Sequence, residues 1–446
     1  MKVQRDGRNF TVKVTADGAG LVSHAGSALL AQVADKTGLT RALSRQLAGL
    51  RQRRGGHDPG RVIRDLAVML ADGGDCLADL GAVRDQGALF GPVASDATAF
   101  RVIDAIARDP GGLERLRAAH AAARERVWAL SGAPARLTID LDATLITAHS
   151  AKEGAAATFK RGFGFHPLLA YAAQTGEALA GELRPGNATA NAGADQTMVL
   201  EAALAQIPAA HIETLEIVLR ADSGGATHEL IDYCREARIG FSVGYDLTEP
   251  VRTGILGLAE DAWVAALDPA GLPRDNGQVA ELTGHVNLAA WPAGSRLLVR
   301  RERPHPGAQL SFTDHDGHRF QAILTDQRGS DIAALEREHR QRAGCEDHIR
   351  NDKDTGLRNL PFRDFEHNRV WLELVRLAHD LIAWTQRLLL SGELARAEPK
   401  RLRYRLLHVA ARLALHARHA TLRLQASWPW ARELAAAFAR LHALPS

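Results

Sequence analysis

The alternation of apolar and polar positions divides the chain before any single residue is considered. Leu137, Ile139 and Leu141 alternate with Thr138, Asp140, Asp142 and Thr144, the two-residue period of a strand with one face buried. Residues 165–173 and 178–183, around the turn Gln174-Thr175-Gly176, predict two further strands. The largely apolar run 215–222 reads as a central strand that delivers Asp222 at its C-terminal end. A strand over 239–245 and helices over 194–206 and 227–237 complete an alternating α/β pattern.

On either side the pattern changes. The first 20 residues predict a hairpin, with Phe10-Thr11-Val12-Lys13-Val14 as strand and Ala16-Asp17-Gly18 as turn. From Ser27 to about Leu130 the period is helical, over segments such as 28–38, 60–70 and 112–130, and Ser95 is placed to cap the helix through Phe100, Ile103 and Ile106. Between 249 and 327 the helical period is lost, and short runs at 281–288, 296–301, 309–312 and 320–325 predict a small β-rich insertion. Ser330 is expected to cap the next helix, with Gly344 as a weak point costing about 1 kcal/mol relative to Ala. Beyond Gly356 the chain reads as helical to its end, where Val370, Leu374, Leu377, Leu381 and Trp384 form a core-facing stripe.

One polar stripe stands out. At about 100° per residue, His339, Arg342, Glu346 and Lys353 fall within roughly 60° of one another on a helix. Arg and Lys can hold phosphate oxygens, and Glu offers a hard oxygen to Mg²⁺, so the stripe suits either a metal-assisted polyanion site or a solvated helix face. Asp140 and Asp142 project from one side of their strand, where two acids are unfavourable unless a cation or solvent compensates.

Composition narrows the choice. The chain has 446 residues, 46% hydrophobic and 24% charged, with a net charge of only +3 although its pI is about 8.9. Any cationic surface is therefore local, as in a protein with a DNA-binding face beside an acidic site. The cluster Arg51-Gln52-Arg53-Arg54 fits a helix-turn-helix reader or a plain bundle, and Arg401, Arg403, Arg405, Arg412, Arg418 and Arg423 fit a DNA-facing or a solvated surface. Cys76, Cys234 and Cys345 are widely spaced, which argues against a disulfide framework or structural zinc and for a reducing compartment. Without a signal-peptide core at Met1-Lys2-Val3-Gln4-Arg5-Asp6 or a long apolar run, a cytoplasmic location and no membrane partner are expected.

An aspartate on a first strand, a second at the end of a later strand and a glutamate on a following helix resemble the acidic triad of RNase H-like nucleotidyl transferases. The chain resembles the DDE transposases of bacterial insertion sequences, in the IS4-like superfamily and closest to the IS1380 family. The resemblance rests on Gly20-Leu21-Val22-Ser23-His24-Ala25-Gly26, Asp140-Leu141-Asp142-Ala143-Thr144, His166-Pro167-Leu168, Leu183-Arg184-Pro185-Gly186-Asn187 and Arg220-Ala221-Asp222-Ser223-Gly224. It is strongest at the stripe. A Tyr-x2-Arg-x3-Glu-x6-Lys signature surrounds the third acid in IS4-like enzymes, and here His339 stands in place of Tyr before Arg342, Glu346 and Lys353.

The resemblance implies an α/β fold with an RNase H-like catalytic core, a β-rich insertion, an N-terminal helical domain and C-terminal helices. Its expected divisions are a mainly helical DNA-binding domain over 1–132, the first part of the core over 133–248, the insertion over 249–328, the catalytic helix over 329–360 and a C-terminal helical region over 361–446. It also implies Asp142, Asp222 and Glu346 as catalytic metal ligands, with Asp140 the runner-up for the first acid, and His339, Arg342, Lys353 and Trp291 as DNA contacts. Trp263 and Trp291 are candidates for stacking a flipped base in a hairpin intermediate. Two Mg²⁺ ions, replaceable by Mn²⁺, are expected, with double-stranded DNA (terminal inverted repeats and target) as partner, a homodimer in the synaptic complex and a bacterial nucleoid-associated location. A catalytically silent DNA-binding descendant and a nuclease without strand transfer are the competing functions.

Overall fold

A computed structural model describes residues 2–5, 8–51, 53, 55–304, 307, 314–315, 317–417 and 419–445. Its centre is a nine-stranded mixed sheet. In chain order the strands are β1 (Arg136–Ala143), β2 (Leu168–Ala172), β3 (Glu177–Glu182), β4 (Glu216–Ala221), β5 (Gly240–Tyr245), β6 (Val264–Leu267), β7 (Pro273–Glu281), β8 (Arg296–Glu302) and β9 (Arg319–Thr325). Their spatial order is β6-β7-β8-β9-β5-β4-β1-β2-β3. The middle three, β5, β4 and β1, run parallel; the flanking pairs are antiparallel.

Strand β1 forms where the alternation predicted it, but both of its faces are covered. Leu137 and Ile139 are buried on one side, and Thr138 and Asp140 are buried on the other. The charge of Asp140 is met inside the protein rather than by solvent: Arg220 on β4 donates to it through Nε at 2.5 Å and Nη2 at 2.8 Å. This bidentate geometry is what makes a buried ion pair tolerable.

The strands of 249–327 are not a detached sheet. Strand β9 pairs with β5 from Ser242↔Thr325 to Tyr245↔Ala322, so they prolong the central sheet. They are preceded by a helix, Glu249–Leu256, where no helical period was expected. The expected strand at 281–288 lies instead at Pro273–Glu281, and the one at 309–312 falls outside the described residues. The N-terminal strands Lys2–Arg5 and Arg8–Thr11 pair with each other, and both end before Ala16-Asp17-Gly18.

One long helix joins the sheet to the N-terminal helices. Helices α1 (Pro59–Ala71) and α2 (Gly112–Ser131) both pack on Phe365–Leu389, whose expected stripe Val370, Leu374, Leu377, Leu381 and Trp384 is buried. Ser95 does cap its helix, Asp96–Arg108, accepting from Thr98 N. The C-terminal region departs from expectation, because Ala411–His416 and His419–Leu424 form a β-hairpin that pairs with Leu21–Val22. Arg403 points inward to the Ala71 carbonyl and Thr355, and Gln52, Arg54 and Arg418 of the basic clusters lie outside the described residues. Among the described residues no helix is long and apolar enough to cross a membrane.

Between α2, the long C-terminal helix and β3 lies a buried charge network. Arg124 donates to Glu177 at 3.1 Å and to Asp380 at 2.6 Å, while Trp128 and Trp384 each donate to Glu177 at 2.8 Å. Asp380 also accepts from the Ala178 amide at 2.7 Å. Removing one partner leaves uncompensated charge in a dry interior, so Arg124→Met should cost about 3–5 kcal/mol of stability, read from denaturant unfolding; a loss below about 1 kcal/mol would contradict this role.

Candidate active site

The sheet brings two acids side by side. Parallel pairing of β1 with β4 sets Asp140 opposite Arg220 and Leu141 opposite Ala221, so Asp222, the next residue along, stands beside Asp142. Asp222 opens a tight turn and accepts from Gly224 N at 3.0 Å. Strand β5 passes so close to this turn that a Cβ on Gly244 would lie 2.7 Å from the Ser223 amide nitrogen, a separation only glycine permits.

Asp142 is largely buried. Its Oδ1 accepts from Ala143 N at 2.8 Å and its Oδ2 from Arg342 Nη1 at 3.0 Å. Burial raises the carboxyl, Arg342 pulls it back and the charge of Asp222 raises it again, leaving it at about 6. Burial is the larger part of that rise, and the neighbouring carboxylate of Asp222 adds to it.

The third acid arrives on a helix that is broken. Helix α3 (Ile332–Arg340) is capped by Asp331, not by Ser330, through a bond from Ala334 N at 3.0 Å. A second helix, α4 (Ala343–Asp352), begins after Gln341 and Arg342. The break is at Arg342 rather than at Gly344, and it bends the predicted stripe. Glu346 sits in the first turn of α4 with its side chain 67% exposed, and Arg342 Nη2 lies 3.6 Å from its Oε1. Asp222, His339, Arg342 and Glu346 line one cleft of about 700 Å³, together with Arg300, Tyr245 and Phe320.

One guanidinium therefore stands between Asp142 and Glu346. Asp222 and Glu346 line the cleft and Asp142 is joined to it through Arg342, but the ligand atoms of the three acids do not all lie within 4.8 Å of one another. The remaining predicted residues are distributed differently. Asp140 is only 1% exposed and is held by Arg220, which also donates to the Glu338 carbonyl; it braces the strand and helix beneath the cleft. His339 lies 3.0 Å from Ser242 Oγ, and burial, with Arg342 and Arg220 adding to it, lowers the ring to about 3. It is a neutral hydrogen-bonding group at neutral pH.

Lys353 follows α4 at its far end, where burial and the charges of Arg358 and Lys160 lower its pKa. Trp291 stacks on His228 with centroids 4.3 Å apart and donates to the Tyr245 hydroxyl at 3.3 Å. Trp263 is buried, with the Arg301 guanidinium 4.3 Å from its ring centroid. Sequence reasoning missed Arg220, although it precedes Asp222 by the same two positions by which Asp140 precedes Asp142, a parallel that signals in-register pairing.

A family model described as a transposase DDE domain, group 1, matches residues 4–446. The chain belongs to that family. It is a DNA-cleaving transposase of the DDE class. No curated protein matches the sequence. The cryo-EM structure of a piggyBac transposase synaptic complex with hairpin DNA is similar at a TM-score of 0.43 and 9% identity, over 84% of this chain and 80% of that one.

The transposase holds α4 to the sheet by a second missed group. Asp352, at the helix end, accepts from the Tyr171 hydroxyl of β2 at 2.6 Å and lies 2.5 Å from His379 Nδ1. His379 Nε2 reaches the Gly176 carbonyl at 2.8 Å. Burial opposes protonation of His379, but Asp352 and Asp380 prevail and raise it to about 9. With an unfolded value near about 6.5, this stabilisation is complete below that pH and is lost as pH rises through about 9. The melting temperature of the wild-type protein should exceed that of His379→Gln most at pH 6, and the gap should close above pH 9; a gap independent of pH would contradict the assignment.

Proposed function

We propose that this transposase cuts DNA at the terminal inverted repeats of an insertion sequence and joins the freed ends to target DNA. In this reading it is an IS1380-type enzyme with an RNase H-like core. Asp142, Asp222 and Glu346 hold two divalent cations, Mg²⁺ with Mn²⁺ as substitute. The supporting observation is the placement of Asp142 beside Asp222 on neighbouring parallel strands, with Glu346 one guanidinium away.

The residues present fit such ions. Two Asp and one Glu are hard oxygen donors of the kind Mg²⁺ takes in small number, and the guanidinium of Arg342 already puts positive charge between two of them. When bound, the cations supply the charge that activates an attacking hydroxyl and stabilises the leaving oxygen of the phosphodiester. Everything else falls to the chain. Arg342, freed from the acids, turns to a DNA phosphate, for which its planar fork is suited. His339 orients the break between α3 and α4 through Ser242. Lys353, with Lys160 and Arg358, receives backbone phosphates that relieve their mutual repulsion.

Tyr245 links the cleft to Trp291, and a flipped base that takes the ring face covered by His228 displaces that imidazole. The helices of 1–132 and the C-terminal region are assigned to end binding, and a homodimer to synapsis of two ends. The test is cleavage and joining of an end-bearing duplex by full-length protein with Mg²⁺ or Mn²⁺. Asp142→Asn, Asp222→Asn and Glu346→Gln should each lower cleavage by more than about 100-fold, since loss of even an outer-shell partner of a metal costs about 10–100-fold. Binding without metal-dependent cleavage would point to a silent DNA-binding descendant, and cleavage without joining to a nuclease.

A further inference from the structure

The motif Gly20-Leu21-Val22-Ser23-His24-Ala25-Gly26 is not used by the acid cleft. It lies instead along the C-terminal segment. Val22 pairs with Ala411, the Ala25 amide donates to the Val409 carbonyl at 3.0 Å, and the Gly26 amide donates to the Leu407 carbonyl at 3.0 Å. A Cβ on Gly26 would lie 1.9 Å from the Leu406 carbonyl oxygen, so the closeness of the two segments depends on that glycine. This zipper places His24 against His408, their rings stacked with centroids 4.2 Å apart and planes 27° from parallel.

Both rings meet one carboxylate. His24 Nδ1 lies 2.5 Å from Asp72 Oδ2, and His408 Nε2 lies 3.1 Å from Asp72 Oδ1. Asp72 ends α1 and is buried; its Oδ1 also accepts from Ser27 Oγ, and its carbonyl lies 2.9 Å from His408 Nε2. One ligand atom from each of the three residues lies within 4.8 Å of the other two. The imidazole side chains are 31% and 38% exposed, leaving an approach from solvent. His24 holds a left-handed backbone, φ 53°, which a non-glycine residue keeps only where its surroundings impose it.

We infer that His24, Asp72 and His408 form a binding site for one zinc-class transition-metal ion, separate from the acid cleft. Two imidazole nitrogens and one carboxylate oxygen, with a fourth position open to water, are a donor set for Zn²⁺. Mg²⁺ prefers oxygen and gains little from imidazole, so the two sites sort their metals by ligand chemistry. A bound ion would staple the motif, the end of α1 and the C-terminal segment together. The staple connects to the acid-bearing helix, since Arg403 donates to the Ala71 carbonyl at 2.9 Å and to Thr355 Oγ1, just beyond α4, at 3.2 Å.

The test uses full-length protein stripped of metal and titrated with Co²⁺, Zn²⁺ and Mg²⁺. One Co²⁺ per chain should give visible d–d absorption that one equivalent of Zn²⁺ abolishes and excess Mg²⁺ does not, and Zn²⁺ should raise the melting temperature. His24→Gln and His408→Gln should weaken binding by about 100-fold, while Asp142→Asn and Glu346→Gln keep it. If the His variants fail to fold, the wild-type spectrum still decides. Absence of stoichiometric binding and of any thermal shift would reduce the three residues to a hydrogen-bonded clasp and overturn the proposal, as would unchanged binding in the folded His variants.

Discussion

The in-register parallel pairing of β1 with β4 is the constraint on which the rest depends. It aligns Asp140-Leu141-Asp142 with Arg220-Ala221-Asp222, so that the first acid of one strand meets the arginine of the other and Asp142 comes beside Asp222. Two carboxylates turned to one corner of a sheet repel one another, and the charge of Asp222 raises the Asp142 carboxyl. Such a corner persists only if positive charge is supplied. Arg220 supplies it below, permanently and out of reach of solvent. Arg342 supplies it at the cleft, through longer contacts on a side chain one-fifth exposed.

That difference separates scaffold from site. A bidentate pair with both partners buried fixes strand register and leaves no coordination sites free. A guanidinium with one contact of 3.0 Å and one of 3.6 Å, facing a cleft, is held less firmly and stays in reach of solvent. Rigidity on the far side comes from Asp352, which is tied to both β2 and the long C-terminal helix, so Glu346 rides on a helix anchored at its opposite end. The exposed acid is thereby free to reorient while its helix stays in place.

The central strands were legible because their neighbours in space are also short, apolar runs with regular period. The stripe of Val370 to Trp384 was legible for the same reason. What escaped was set by contacts far away in sequence. The Leu413 and Leu422 strands are rich in Arg, Leu and Ala, good helix formers, and become a hairpin because Leu21 and Val22 offer them a sheet edge. Strand β7 carries Pro, Asp and Gly, which local propensity disfavours, and forms by pairing with β6 and β8. A helical wheel assumes a straight axis, so it could group His339, Arg342 and Glu346 but could not show the break at Arg342. Asp140 and Asp142 are equivalent at a period of two; the resemblance ranks Asp142 first, and the partner strand gives the two different surroundings by setting Arg220 against Asp140.

The central claim is that the carboxylates around Arg342 form a seat for divalent cations, which the arginine fills in their place. Mn²⁺ binding to DNA-free protein, followed by loss of the free-ion electron paramagnetic resonance signal, examines it directly. The account predicts that Asp142→Asn weakens binding by about 10-fold or more and that Arg342→Gln, by removing the competing cation, strengthens it. Weaker binding in Arg342→Gln, or binding indifferent to Asp142→Asn, would contradict it.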